Sequence, residues 1–178
     1  EQGIIHSLVM MISNGGSTLY GQTIGEKNEA KSGKVIGNTY FLEVIVAIFL
    51  AAIMPFLAKP LLKFLGASDT AGTLIPGYSY ISVLFYGAIC YALSMASADL
   101  IRGQGSALVS CAVSMTSAIL NIIGDPFYIK VCGLGVAGAS LSTVLANLVS
   151  ATIGFIFMCS KRAIVRFKPK NLAPDCSL

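Results

Sequence analysis

Two carboxylates, Glu43 and Asp125, fall inside long runs of apolar residues, and those runs decide what chemistry they can do. A carboxylate at the centre of a bilayer costs at least ~3 kcal/mol on insertion scales, so one placed there is an invitation to look for a function. Asp125 sits in Asn121-Ile122-Ile123-Gly124-Asp125-Pro126. Asn121 and Asp125 are four apart and share one face of a helix. Pro126 removes a backbone donor and crowds the carbonyl of Ile122, and Gly124 softens the same turn, so the pair reads as a conformational hinge. One carboxylate, one amide oxygen and freed carbonyls suit a hard cation such as Na⁺, and burial favours proton uptake by the same acid. A second reading makes Asp125 a cap or a break at a wet interface. Glu43 lies about two turns into another apolar run. It either lines a substrate cavity and meets a cation, or snorkels towards Lys34 and water.

Other chemistry is excluded early. The five cysteines are scattered without a CxxC pair and the lone histidine is His6, which argues against a zinc site or a disulfide framework. The cysteines read instead as small apolar packing residues. No HExxH, no Ser/His/Asp set and no glycine-rich phosphate loop is visible, so the chain is not read as an enzyme and no cofactor is expected.

The elements that must hold these residues are membrane spans. Of the 178 residues, 55% are hydrophobic and only 11% charged, against about 25% charged in soluble domains. The mean hydropathy is +0.79. A spanning helix needs about 20 apolar residues. Five runs qualify, over about 2–25, 35–58, 70–98, 103–128 and 131–160. The shortest reaches about 36 Å as a helix. Strand-like alternation is absent, so the fold class is all-α, a polytopic transmembrane helix bundle. Between the runs, Lys59 to Asp69 contains Pro60 and reads as a helix stop, and Asp99 to Gly105 reads as a tight turn with Asp99 and Arg102 as an interfacial pair. Residues 161–178 read as a basic cytoplasmic linker.

Nine of the 12 Lys and Arg residues fall in connections on one side of this arrangement and three on the other. The positive-inside rule makes the richer side cytoplasmic. Such charge reports orientation, and nucleic-acid binding is not expected. The chain opens at Glu1 without a signal peptide, on the outer side by this count, so one further span upstream is expected, making a six-helix lobe.

Small and polar residues mark the inward faces. The fifth run opens Gly133-Leu134-Gly135-Val136-Ala137-Gly138-Ala139-Ser140 and continues to Thr143, a surface for close helix packing with a hydroxyl in reach of a neighbour. Ser13-Asn14-Gly15-Gly16-Ser17-Thr18 in the first run must also face a helix or a wet cavity. The third run carries Tyr78, Tyr80, Tyr86 and Tyr91. Tyr86 is a candidate for cation–π contact with a substrate, although such rings also serve as anchors.

Taken in order, Gly25-Glu26-Lys27-Asn28, Arg102-Gly103-Gln104-Gly105, Asn121 to Pro126, and Gly133 to Ala139 leading to Thr143 resemble the multidrug and toxic compound extrusion (MATE) family. The resemblance implies the second to sixth helices of an amino-terminal lobe, with a first helix and a carboxy-terminal lobe elsewhere in the same protein. It implies antiport in the plasma (inner) membrane: small organic cations leave as Na⁺ or H⁺ enters. It also implies a cation site of Asn121, Asp125 and Thr143, with the Ala139 carbonyl contributing and a further Asp on the first helix. Gly124 departs from the Leu common at that position, and Ala98 and Asp99 stand where an Asn is common. Lipid-linked oligosaccharide flippases of the same superfamily are an alternative, disfavoured because no basic residue lies in the core of the five runs. A non-transporting membrane scaffold is another.

Overall fold

A computed structural model describes residues 2–64, 83, 87–160 and 162–165. Among the described residues the fold is five α-helices: α1 (Gln2–Gly25), α2 (Glu29–Phe64), α3 (Ala88–Gly103), α4 (Ala107–Pro126) and α5 (Gly135–Cys159). A single π-helical segment, Phe127–Val131, follows α4. Helices are the expected answer in lipid, where each backbone N–H must be satisfied within its own segment. Three stretches are long and apolar enough to span alone: Glu29–Ile53, Ala107–Val131 and Gly135–Cys159.

The boundaries differ from the expected runs for local reasons. Asn28 caps α2, its Oδ1 accepting from Lys31 N at 3.0 Å, so the helix starts at Glu29, ahead of the apolar run at 35. Its other end passes through Pro55 and Pro60 to Phe64, so the expected stop at Pro60 does not occur. Proline is tolerated in spanning helices because neighbours and local adjustments re-satisfy the freed carbonyls. The expected third run, 70–98, lies largely outside the described residues, as does Tyr86. Its helix runs past Ala98 to Gly103, and the charged turn expected at Asp99 is helical. The real turn is at Gly105, with φ +88°. Between α1 and α2, Lys27 takes the left-handed position (φ 55°) that glycine usually fills, while Lys27 N and Asn28 N bond back to the carbonyls of Ile24 and Thr23.

The centre of the bundle is α3, which packs against α1, α2, α4 and α5. Side-chain bonds set the directions. His6 meets Tyr91 and Ser13 meets Asp99, so α1 and α3 run parallel. Asn121 meets Thr143 and Ser117 meets Asn147, so α4 and α5 run antiparallel. The buried face of α3 is made of small residues, among them Ala92, Ser94, Ala96 and Ser97. Their hydroxyls tie helices together: Ser94 donates to Ser150 Oγ at 3.0 Å, and Ser150 donates to the Val113 carbonyl at 2.7 Å. Larger side chains fill two clusters, one around Tyr20, Ile36, Leu100, Ile101 and Met158, the other around Val9, Ala47 and Leu50.

The connections α1–α2 and α3–α4 lie at one end of the bundle, with Lys27, Lys31, Lys34, Arg102 and Arg162. We call this the basic end. The segment after α5 folds back there: Ile164 N donates to Gln104 Oε1 at 3.2 Å, and Ala163 and Val165 are buried. Residues 162–165 are thus part of the packed end, and 166–178 of the expected linker lie outside the described residues. Cys176 lies outside the described residues. Cys111, Cys132 and Cys159 are exposed and Cys90 is half-buried, all as free thiols.

Close approach at the hub needs glycine. A Cβ on Gly154 of α5 would lie 2.5 Å from Ser97 Cβ, an atom fixed to the α3 backbone. A Cβ on Gly15 of α1 would meet nothing within 4 Å. Gly154→Val is therefore expected to cost roughly 1–3 kcal/mol through overpacking. Gly15→Ala is expected to leave stability unchanged or raise it by about 0.5–1 kcal/mol. Thermal unfolding of the two variants in lipid nanodiscs checks the contrast, and equal melting temperatures would remove the hub from the account.

Candidate functional site

The far end of the bundle gathers the residues singled out in the sequence. Thr143 Oγ1 donates to the Ala139 carbonyl at 3.0 Å, one turn earlier on α5. Its proton is then spent, so it can only accept from Asn121, whose Nδ2 reaches it at 2.8 Å. That contact turns the Asn121 amide so that Oδ1 faces away from Thr143 as a free acceptor. Asp125, one turn further along α4, has its Oδ1 buried with no hydrogen-bond partner. Asn121, Thr143 and Ala139 are thus in direct contact, and Asp125 adds an unsatisfied anionic oxygen on the same helix face. Unpaired acceptors of this kind are costly in a low-dielectric setting and are answered by a proton or a cation.

The helix does not end at Asp125. Pro126 lacks the N–H that would hold the Ile122 carbonyl, and the chain widens just beyond it into the π segment. There Cys132 N bonds to the Phe127 carbonyl at 3.1 Å and Leu134 N to that of Tyr128 at 3.2 Å. Gly124 has a packing role: a side chain there would collide with Ser142 Oγ, which itself donates to the Asn121 carbonyl at 3.4 Å. Gly138 admits the backbone of Tyr128 in the same way, its Cβ position lying 2.8 Å from the Tyr128 carbonyl oxygen. The site is therefore held by α4 and α5 pressed together on either side of the π segment.

Glu43 is placed differently from both sequence readings. It is 0% exposed, neither snorkelling to water nor opening on a cavity wall. A groove of about 280 Å³ does run between α1 and α2, lined by Gly15, Gly16, Leu19, Val35, Asn38 and Thr39, and Glu43 is not part of it. Glu43 lies instead on the inner side of α2 beside Ser13 of α1 and within electrostatic range of Asp99. Asp99 also differs from its expected role as a weak interfacial partner of Arg102. It is 3% exposed, accepts from Ser13 Oγ at 2.7 Å, and holds Arg102 Nη1 at 3.1 Å. Of the polar stretch in α1, only Ser13 is fully buried and Ser17 half-buried, while Asn14, Gly15 and Thr18 are exposed on another face. Ser13 and Asp99 are the site-like residues that sequence reasoning missed. The available signal was the serine four residues before Ser17 on a helix with few other inward polar groups.

Comparison with known proteins places this geometry. A sequence model of the family described as MatE matches residues 2–127. The chain is 27% identical over 168 residues to an FAD transporter of Shewanella oneidensis, covering 92% of this chain and 37% of that protein. It is 25% identical over 175 residues to the multidrug export protein MepA of Staphylococcus saprophyticus, covering 96% of this chain and 38% of the relative. Among solved structures it superposes on an inward-facing multidrug resistance MATE family transporter of the MOP superfamily with a TM-score of 0.90 at 22% identity, covering 97% of this chain and 39% of that one. The chain thus spans under two-fifths of the length of these relatives. Five packed helices, apolar spans and a match over most of its length lead to one assignment: the chain belongs to the MATE family of multi-pass membrane transporters.

Proposed function

We propose that the chain forms five helices of the amino-terminal lobe of a cation-coupled antiporter, and that Asn121, Asp125, Thr143 and the Ala139 carbonyl bind the coupling Na⁺ or H⁺. The observation that carries this reading is the buried, unpartnered Asp125 Oδ1 beside the Asn121–Thr143–Ala139 contact. The remaining ligand, an Asp on a preceding helix, and a carboxy-terminal lobe belong to the rest of the protein. The basic end faces the cytoplasm, as positive-inside bias favours, and the transporter sits in the plasma (inner) membrane. Small organic cations are the exported substrates. The lack of basic residues in the cores of the spans supports cations over anionic lipid-linked sugars.

The cycle follows from charge. At the far end, Asp125 takes up Na⁺ or H⁺, which removes an uncompensated buried charge. The π segment and Gly124 beside Pro126 form the hinge, because a widened turn has two backbone registers to choose between. Neutral Asp125 no longer attracts cationic substrate, which leaves outward. Inward return of the ion restores the anion. The membrane potential adds about 2.3 kcal/mol per charge per 100 mV.

Two experiments on the full-length protein in proteoliposomes test this. Efflux of a fluorescent organic cation is driven by an imposed Na⁺ or H⁺ gradient. Wild type is expected to couple to one of the two, and Asp125→Asn to fold and lose coupling. Transport by the variant at the wild-type rate would make Asp125 structural. A wild type that moves flavin dinucleotide but no cation would replace the substrate class.

Thr143→Ala separates ligand from scaffold. It removes one neutral hydrogen bond, worth about 0.5–1.5 kcal/mol. It is therefore expected to shift melting slightly while raising the half-saturating ion concentration about tenfold or more, which corresponds to at least 1.4 kcal/mol of binding. Unchanged ion dependence would take Thr143 out of the site.

A further inference from the structure

The second carboxylate cluster lies apart from the Asn121–Asp125 site, across the hub helix and towards the basic end. Its members are Glu43 of α2, Ser13 of α1, and Asp99 and Arg102 of α3. Arg102 balances Asp99, at 3.1 Å. Glu43 is left over, 0% exposed, with neither carboxylate oxygen hydrogen-bonded. The nearest hydroxyl to it is that of Ser13, with no hydrogen bond formed between the two. A hydroxyl has one proton, and Ser13 gives its proton to Asp99 Oδ2 at 2.7 Å. Ser13 therefore has only lone pairs to offer Glu43. An ionised Glu43 would face an acceptor, with no donor and no countercharge. A protonated Glu43 would complete the set by turning its O–H towards a Ser13 Oγ lone pair.

The other groups around it do not change this. On α2, Tyr40 senses Glu43, but its hydroxyl is engaged with Ser97 Oγ at 2.9 Å. On α3, Tyr91 senses both Glu43 and Asp99, and its hydroxyl is hydrogen-bonded to His6 Nδ1 of α1. Among the described residues no cation other than Arg102 is seen to act on this cluster. Among the described residues only Ser13 and Asp99 are placed to act on Glu43, whereas a hard metal ion prefers six or so oxygens and a proton needs one donor and one acceptor.

We propose that Glu43 is a second proton-binding site of this lobe, donating its proton to Ser13 Oγ and exchanging it with the basic end through Asp99 and Arg102. Release is a relay. Glu43 gives its proton to Ser13 Oγ as the Ser13 proton passes to Asp99 Oδ2. Glu43 becomes the carboxylate and Asp99 the acid, and the bond from Arg102 to Asp99 loosens. Arg102 is more than half exposed and faces water, where Asp99 then loses the proton. The proposal does not depend on the identity of the ion at Asp125.

Infrared difference spectroscopy of the purified full-length protein in nanodiscs tests it, with pH varied from about 5 to about 9, the upper end being where buried Glu residues titrate. Wild type is expected to show a carboxylic-acid C=O band that persists at neutral pH and is lost at the alkaline end. Glu43→Gln, which keeps the shape and can donate to Ser13, is expected to lose that band, while Asp125→Asn retains it. Should Glu43→Gln not fold, Ser13→Ala serves: removing the acceptor is expected to shift the same band in frequency. The proposal is overturned by a wild type without the band, by its survival in Glu43→Gln, or by its indifference to Ser13→Ala. It is equally overturned if Na⁺, but not choline, erases the band at constant pH, since the carboxylate then takes a metal ion. Failure of gradient-driven transport in Asp125→Asn bears on the other site only.

Discussion

Inside a bilayer a polar side chain has no water to fall back on, and the arrangement of these five helices follows from where each one finds a partner. The backbone is satisfied by helix formation, so what remains is a set of serines, threonines and a few amides and acids. Most point to a carbonyl one turn back, as Thr39 does to Val35 at 2.9 Å and Thr116 to Ala112 at 2.8 Å. Others bond across helices, some between α4 and α5 and many onto α3. Ser13, Ser17, Tyr40, Ser110 and Ser150 all bond to atoms of that helix or to a serine on it. Each such bond is worth well under 2 kcal/mol in a membrane, so their value is in register more than in total energy. Small residues on α3 make the register possible by letting four neighbours come close.

That constraint also sorts the acids. Asp99 is buried because α1 projects beyond the end of α3. With Ser17 level with Gly103, about eight residues or 12 Å of α1 extend past it. This offset sets Ser13 level with Asp99, while Arg102 bridges from the buried acid to water. Asp125 has no such partner because α5 offers only serine and threonine hydroxyls nearby, and these already serve carbonyls. The protein thus satisfies one acid fully and leaves an oxygen of another bare. The bare oxygen is the one that a mobile ion can compensate, which is why the proposed coupling site lies at the far end and not at Asp99.

Much of this was legible in the residues. The all-helical membrane fold followed from charge scarcity and run length, and the grouping of Asn121 with Thr143 and the Ala139 carbonyl from the family resemblance, spacing alone pairing Asn121 with Asp125. What was not legible depended on the relative shift of helices that are distant in sequence. Asp99 and Arg102, three apart beside a Gly-Gln-Gly turn, read as a surface pair because nothing local says that Ser13 lies alongside. Glu43 read as lining a cavity or snorkelling for the same reason: Lys34 is near it in sequence, while Ser13 and Asp99 are near it in space. The helix through Pro60 was missed because proline is a stop signal in water-soluble chains, and its cost is reduced where lipid leaves the chain no alternative to a helix.

Glu43 and Asp125 pose the same electrostatic problem with opposite surroundings. Asp125 sits where two helices meet at a widened turn, beside oxygens that can regroup around an incoming ion. Glu43 sits beside Ser13 and Asp99, one turn from where Gly103 approaches Ser17 so closely that a Cβ would lie 2.6 Å from its carbonyl oxygen. A setting with so few oxygens suits a proton better than a metal ion, because a proton moves between oxygens without displacing heavy atoms. Two buried acids in one lobe are therefore not redundant. The widened turn, with several oxygens beside it, suits an ion that arrives with a shell to exchange, and a single neighbouring hydroxyl suits the one charge carrier that needs no room.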